Sequence, residues 1–123
     1  MDFQTDIEYW AGSDGVSPVS QLIRSLPISH QRWINKRDEF FEKLTIQQLL
    51  LSKHIVHIRD VDYPLKEIRY AGSGGMNYRA LCFLWKRKIV MLVMFQGSGG
   101  DGNIKKYFKT AIERAESWKI RNQ

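Results

Sequence analysis

Two apolar runs stand close together in the second half of the chain, YRALCFLW at residues 78–85 and IVMLVMF at residues 89–95. Each is short and has apolar side chains at odd and even positions alike, which is typical of a strand buried on both faces of a sheet. Only KRK (86–88) separates them, so a tight turn must join them. The sequence therefore predicts a central β-hairpin against which the rest of the chain packs.

Strand patterns also occur before this hairpin. FQTDIEYW (3–10) and LKEIRYA (65–71) partly alternate and are rich in β-forming residues, so both predict strands. AGSDGV (11–16) predicts a turn, because glycine and aspartate favour turn conformations. KHIVHIRDVDYP (53–64) predicts a connector or a weak strand that ends at a proline.

Capping residues indicate where the first helices begin. Ser17-Pro18 predicts a helix start, because a side-chain cap followed by proline is typical of a helix N-terminus, and the next proline ends it. A second helix is predicted from about residue 29, where apolar residues recur near the helical period. Thr45 and Gln48 resemble a capping box, so residues 45–51 form either a separate helical turn or a continuation.

The C-terminal segment has a clear helical period. Its apolar residues follow Ile104 at offsets of 3, 4, 7, 8, 11 and 14, which gives one buried face, and Asn103 is placed to cap the helix. The element order is β-α-α-β-β-β-α. We predict one α+β domain over residues 1–123, in which two N-terminal helices and a C-terminal helix pack on one face of a small antiparallel β-sheet.

Charge is distributed unevenly along the chain. Residues 1–64 carry 7 Lys and Arg and 9 Asp and Glu, net −2, whereas residues 65–123 carry 12 and 4, net +8. A basic half on a globular domain indicates a polyanionic partner, nucleic acid first. A solvated lysine-rich surface is the alternative interpretation of the same pattern.

Several other classes of protein are disfavoured by the sequence. Cys82 is the only cysteine, so one chain cannot form a disulfide framework or a cysteine-based zinc site. No apolar run approaches the roughly 18 residues of a membrane span. The first ten residues, MDFQTDIEYW, are mixed and acidic, unlike a signal peptide. We expect a cytoplasmic protein that does not bind membranes.

Two GSGG clusters, at residues 72–75 and 97–100, raise the question of a phosphate-binding loop. A P-loop requires GxxxxGK[ST] after a strand, and a dinucleotide-binding loop requires GxGxxG at the start of a helix. Neither cluster contains GK followed by Ser or Thr, and residues 72–77 read GSGGMN. We therefore predict two turns, the first between two strands and the second between the last strand and the C-terminal helix.

Two arginines are the first candidates for chemistry. Arg69 and Arg79 each interrupt a strand-like segment, and the strand period places Glu67 on the face of Arg69. If the two arginine faces coincide, the guanidinium groups converge on one surface and form a receptor for a phosphate or a carboxylate. The alternative is that one arginine pairs with Glu67 or with another carboxylate.

The second candidate is NIKKYFK at residues 103–109, where Lys105, Lys106 and Lys109 crowd the first turns of the last helix. Cations there oppose the helix dipole, while a helix N-terminus attracts anions, so the lysines indicate an anion site. A solvated face is the alternative for these lysines. Tyr107 falls on the apolar stripe, so packing is the alternative for this residue.

Histidines offer weaker candidates. His30, His54 and His57 are general acid or base candidates by their chemistry. His54 and His57 make an unconvincing metal pair, because no cysteine or carboxylate cluster completes a ligand set, and we predict no metal site and no cofactor. Cys82 lies inside an apolar run and is predicted to be inert core.

The order of these motifs resembles a known family. PLKEIRY, NYRALCFLWKRKIVMLVMFQG and KKYFKTAIERAESW together resemble the phage-derived, HigB-like branch of the RelE toxin superfamily over residues 65–118. The matching motifs are a Glu-Ile-Arg strand, a Tyr-Arg strand, a dense apolar hairpin, paired lysines and a helix reading AIERA. The chain departs from the family in its longer 72–77 loop and in its C-terminus, KIRNQ, which lacks an obvious catalytic His or Tyr.

The resemblance implies a small endoribonuclease toxin of a type II toxin-antitoxin system. Such toxins cut mRNA, commonly on the ribosome, without a metal ion, and a cognate antitoxin, here expected to be of helix-turn-helix type, holds them inactive. The resemblance implies catalytic roles for Arg69, Arg79, Lys106 and Tyr107. We expect the following residues to bind RNA: Lys86, Arg87, Lys88, Lys105 and Lys109. A non-catalytic RNA-binding or protein-binding module on the same fold is the alternative.

Overall fold

Five strands form one sheet, and the predicted hairpin lies inside it. A computed structural model describes residues 4–72, 74–97 and 104–122. The strands are β1 (Asp6–Tyr9), β2 (Ile55–His57), β3 (Lys66–Ala71), β4 (Asn77–Trp85) and β5 (Lys88–Gln96). Their spatial order is β1-β5-β4-β3-β2. The neighbours from β2 to β5 are antiparallel, whereas β1 runs parallel to β5.

The prediction of a purely antiparallel sheet is therefore wrong at one edge. Strand β1 pairs with β5 so that Asp6 lies opposite Lys88 and Tyr9 opposite Met91. A parallel pair needs a long crossover connection, and the chain from residue 10 to residue 87 supplies it. The alternation within residues 3–10 indicates a strand but says nothing about the direction of its partner, so the sheet is mixed.

Two helices begin where their capping residues predicted, after Ser17 and after Thr45. The described part of the chain contains α1 (Pro18–Ser25), α2 (Ile28–Glu42), α3 (Ile46–Leu51) and α4 (Phe108–Arg121), with a 3-10 turn at Lys105–Tyr107 before α4. The Ser17 hydroxyl accepts a hydrogen bond from Ser20 N at 3.2 Å, and Thr45 and Gln48 form a capping box. Residues 46–51 are thus a separate helix. The predicted cap Asn103 lies outside the described residues.

The helices cover both faces of the sheet, so the prediction of helices on one face is also wrong. Helices α1, α2 and α3 pack on the face that carries Tyr70, Ala80 and Met91. Helix α4 packs on the opposite face, where Trp118 meets Phe83 at 5.4 Å between ring centroids. Because β4 and β5 are apolar on both faces, each face needs a cover. No helix in the described ranges is long and apolar enough to cross a membrane.

An irregularity in β5 shapes the α4 face. Leu81 pairs with Val93 and Cys82 with Met91, so Leu92 is an extra residue on β5, a β-bulge. The bulge turns two consecutive side chains, Leu92 and Val93, toward the α4 side of the sheet. The Leu92 carbonyl accepts a hydrogen bond from Arg114 Nη1 of α4 at 2.7 Å.

The loop of the first glycine cluster packs on α2. Gly72 N donates to the Met76 carbonyl at 2.9 Å, which closes the turn between β3 and β4. A side chain at Gly72 would lie 3.3 Å from Trp33 Cε2, and Gly74 and Gly75 adopt positive φ of 70° and 79°. This cluster therefore joins two strands as predicted. Residues 98–100 of the second cluster lie outside the described residues.

Candidate functional site

Arg69 and Arg79 meet on the α4 face of the sheet. They are directly paired across β3 and β4, and directly paired residues project to the same face. Glu67 lies two residues before Arg69 and therefore shares this face. The two arginine faces, whose coincidence the sequence left open, therefore coincide. Two cations that face each other in a sheet need a counter-charge, which Glu67 supplies.

Glu67 binds both guanidinium groups. Arg79 Nε donates a short hydrogen bond to Glu67 Oε2, and Arg69 Nε lies 3.5 Å from Glu67 Oε1. The side chains of Arg79 and Glu67 are only 4% and 8% exposed, whereas that of Arg69 is 63% exposed. Both interpretations that the sequence left open are therefore realised together: the arginines converge, and they pair with a carboxylate.

Aromatic side chains fix the position of Arg79 from the other side. Its Cζ lies 5.9 Å from the centroid of the Phe95 ring, and the Phe95 ring stacks on Tyr107 with centroids 4.1 Å apart. A side chain at Gly97 would lie 3.0 Å from Arg79 Cδ, so glycine leaves room for Arg79 at this point. Tyr107 thus contacts Phe95, which in turn contacts Arg79. This stacking agrees with packing, the alternative role that the sequence left open for Tyr107.

A cavity of about 290 Å³ opens beside the three charged side chains. Glu67, Arg69 and Arg79 form one wall, and β2 with the loop after it forms another. Val56 of β2 pairs across the strands with Glu67, which places it on the same face. Ile104 completes the lining next to the lysine-rich turn. The cavity wall thus carries one carboxylate and two guanidinium groups, and guanidinium groups can bind an anion.

The predicted RNA-binding residues fall into two separate groups. Lys105 directly follows the cavity residue Ile104 and lies 4.0 Å from Asp60. Lys106 Nζ lies 5.3 Å from the centroid of the Tyr107 ring, and Lys109 is exposed in the first turn of α4. Lys105, Lys106 and Lys109 thus form one group at the start of α4, and Lys105 lies beside the cavity.

The second group lies at the far end of β4. Lys86 and Arg87 form the turn between β4 and β5, and Lys88 opens β5, where it pairs with Glu8 at 2.9 Å. Six residues along β4 separate this turn from Arg79, which corresponds to roughly 20 Å. Lys86, Arg87 and Lys88 therefore do not form one site with Arg79.

Of the three histidines, His57 is the one that lines the cavity. Its Nδ1 lies 3.1 Å from Lys66 Nζ. His30 binds the Tyr78 hydroxyl at 2.6 Å, and His54 packs against Phe40, both on the face covered by α2. No group of three or more His, Cys, Asp or Glu side chains within the described ranges is placed to hold a metal ion. Burial raises the pKa of Cys82 to about 12, so this thiol is poorly ionised.

Sequence reasoning did not identify Asp38 as a notable residue. It lies buried in α2, where its carboxylate accepts hydrogen bonds from Tyr70 at 2.6 Å and from Tyr9. Burial raises the pKa of Asp38 to about 6, against the opposing effect of the two tyrosine hydrogen bonds. A signal was present, since Asp38 stands between Ile34 and Phe41 at helical spacing on the buried stripe.

Comparison with known proteins does not assign the chain to a family. No protein-family model matches the chain, and no curated protein sequence matches it. The resemblance to the RelE toxin superfamily accordingly stays a prediction that rests on the motifs of residues 65–118.

Proposed function

We propose that the protein is the toxin of a type II toxin-antitoxin system, a RelE-like endoribonuclease that cuts mRNA on the ribosome. The observation that carries the proposal is the carboxylate shared by two cross-strand arginines at the wall of a cavity. The basic half of the chain, net +8, supports an RNA substrate. The helices on both faces and the parallel β1 would make it a variant of the implied fold.

The three side chains supply most of the groups that RNA cleavage requires. Attack of a 2′-hydroxyl on the adjacent phosphorus needs a base to take the hydroxyl proton, and Glu67 is the carboxylate in position. The phosphorane gains negative charge, which Arg69 and Arg79 stabilise through N–H donors. The leaving 5′-oxygen takes a proton, for which we propose Lys106 or Tyr107. The products are a 2′,3′-cyclic phosphate and a free 5′-hydroxyl.

Because Arg79 is buried and Arg69 is exposed, we assign the two arginines different roles. Arg79 is held by Glu67 and Phe95, so its donors are oriented before substrate binds, which is the condition for effective transition-state stabilisation. Arg69 is exposed and can meet the phosphate of an incoming strand. The mechanism uses no metal ion, and we predict that cleavage continues in EDTA.

Arg69 provides the sharpest test, because its exposed side chain contributes little to folding. Arg69→Ala should lower cleavage of mRNA on translating ribosomes by about 10²-fold, the order expected when one transition-state donor is lost. The matched control is Arg32→Ala, an exposed arginine of α2 on the opposite side of the sheet, which should cleave normally. Equal cleavage by folded wild-type and Arg69→Ala protein would overturn the site assignment.

Arg79 is a less clean test, since it is buried against Glu67. Removing one partner of a buried ion pair leaves the other charge poorly compensated and costs about 3–5 kcal/mol. Arg79→Ala is therefore expected to destabilise the fold as well as to lose activity. Glu67→Gln keeps the size of the side chain but leaves the buried Arg79 charge uncompensated, so it should lose stability as well as cleavage.

A second candidate function is a non-catalytic RNA-binding module. The pairing of Glu67 with both arginines favours it, because such pairing also occurs in purely structural ion networks. Expression of the wild-type protein separates the two: growth arrest that Arg69→Ala relieves supports the toxin, and RNA binding without cleavage supports the module. As partner of the toxin we propose an antitoxin with an acidic segment that covers the basic surface.

A further inference from the structure

A second pair of arginines lies on the other side of α4. Trp10 follows β1, and its ring has Arg114 Cζ at 4.9 Å and Arg121 Cζ at 5.7 Å from the ring centroid. The two arginines are seven residues apart on α4, which places them on the same helix face. Glu67 and its arginines lie toward β3, whereas Trp10 lies beside β5 at the β1 edge, so α4 separates the two places.

These two guanidinium groups have no carboxylate partner within ion-pair distance among the described residues. Arg114 donates to the Leu92 carbonyl at 2.7 Å, and Arg121 donates to the Ala11 carbonyl at 2.7 Å. Glu8 interacts electrostatically with Arg121, but its two oxygens already accept hydrogen bonds from Lys88 and Trp118. Partial burial lowers the pKa of Arg114. Among the described residues, neither guanidinium group thus forms an ion pair with a carboxylate.

A cavity of about 590 Å³ lies in front of them. The hydroxyl groups of Ser13 and Ser117 also line this space. The Trp10 ring lines it as well, whereas its indole Nε1 is buried without a hydrogen-bond partner in the described part of the chain. Asp14 is the one acidic side chain of the lining, and its Oδ1 accepts from Val16 N at 2.9 Å.

Hydrogen bonds fix the conformation of the loop at residues 12–16, which lines the far side of the cavity. Gly12 N donates to the Val16 carbonyl and Gly15 N to the Gly12 carbonyl, both at 2.9 Å. Gly15 adopts a positive φ of 78°, which glycine reaches without strain. The cavity therefore has a fixed wall on the loop side and a helix on the other, so little conformational entropy is lost when an anion binds.

We propose that this cavity binds a phosphate group through Arg114 and Arg121, which lie against the Trp10 ring. Two guanidinium groups match the geometry of phosphate oxygens. The phosphate belongs either to a small phosphomonoester or to the backbone of RNA. The site does not depend on the proposed ribonuclease activity, because it shares no residue with Glu67, Arg69 or Arg79.

The test is a titration of the full chain with inorganic phosphate, followed by calorimetry and by the indole N–H resonances in NMR. Phosphate should shift the Trp10 resonance, which Trp10→Phe identifies by its disappearance. Arg121→Gln should weaken binding by about 10-fold, the effect of losing one charge-assisted hydrogen bond. Arg121 is exposed, so its replacement leaves the fold intact.

Arg24→Gln is the matched control, because Arg24 is exposed in α1 and its loss changes the net charge equally. It should bind phosphate like the wild type. Equal weakening by Arg24→Gln and Arg121→Gln would show a non-specific charge effect and overturn the proposal, as would an unmoved Trp10 resonance.

Two further ligands separate the sources of the phosphate. Adenosine monophosphate that competes with phosphate, while RNA lacking a terminal phosphate does not, supports a phosphomonoester. Competition by that RNA supports a backbone phosphate, and competition by neither overturns the site. All arms can be run in the Arg69→Ala background, so failure of the proposed nuclease and failure of this site are distinguishable.

Discussion

Asp38 shows how a single buried carboxylate links the fold to pH. The folded state holds its pKa near 6, above the usual value of 3.8, because burial disfavours the charged form. The folded state therefore binds the proton more tightly than the unfolded state does. The resulting stabilisation is complete below about pH 4 and is lost as pH rises through 6, and it amounts to about 3 kcal/mol.

Asp38→Asn removes this titration while keeping the size of the side chain. We expect the free energy of unfolding of the wild type, relative to the variant, to fall by about 3 kcal/mol between pH 4 and pH 8. Urea unfolding of both proteins across this range measures the difference, in which the other titrating groups cancel. Parallel pH profiles for the two proteins would contradict the prediction.

Individual site residues were predictable to different degrees. Arg69 and Arg79 stood out because a charge inside an apolar strand is unusual, and strand alternation made their shared face an even choice between two registers. The structure settles the register and adds Glu67, which alternation already placed beside Arg69. Asp38 and its tyrosine partners come from three elements distant in sequence, so no local pattern brings them together.

Among the elements, the hairpin and the capped helices were the most predictable. Their signals are local: two apolar runs separated only by KRK (86–88), and the caps at Ser17 and Thr45. The side on which α4 packs and the direction of β1 depend on tertiary contacts that periodicity does not contain. The doubly apolar β4 and β5 did require covers on both faces, and that requirement pointed toward the observed arrangement.

The turn between β4 and β5 stores a small amount of strain. Lys86 adopts a φ of 57°, a left-handed conformation that costs a residue with a side chain roughly 1–2 kcal/mol. Lys86→Gly removes the strain and adds the entropy cost of glycine, so the free energy of unfolding should rise by about 0.5–1 kcal/mol.

Arg87→Gly is the control for this prediction, because Arg87 lies next to Lys86 without a positive φ. It should lower the free energy of unfolding, since glycine there relieves nothing. Urea denaturation of both variants gives the comparison, and a loss of stability in Lys86→Gly as large as in Arg87→Gly would disprove the strain.

For the whole molecule, the separation of the two basic groups predicts how RNA lies on it. If RNA occupies the cavity of Glu67 and Arg69, the lysines Lys105, Lys106 and Lys109 contact its phosphates and the turn at Lys86 does not. Replacing these three lysines with Gln should weaken RNA binding and make the slope of log K against log salt less steep by about 2.

The matched variant replaces Lys86, Arg87 and Lys88 with Gln, which removes the same charge from the far end of the sheet. Its salt slope should stay close to that of the wild type. Equal changes in the two triple variants, measured by fluorescence anisotropy with labelled RNA, would show that RNA spans the whole basic surface.

The parallel pairing of β1 with β5 also governs the order in which the chain can fold. The partners of residues 6–9 are residues 88–91, so β1 can pair only after β5 has been synthesised. The antiparallel strands β3, β4 and β5 are neighbours in sequence and close with short loops, which favours early folding. During synthesis, β1 stays unpaired until the start of β5 has emerged, and the cavity beside Trp10 forms only after α4, which supplies Arg114 and Arg121, has been made as well.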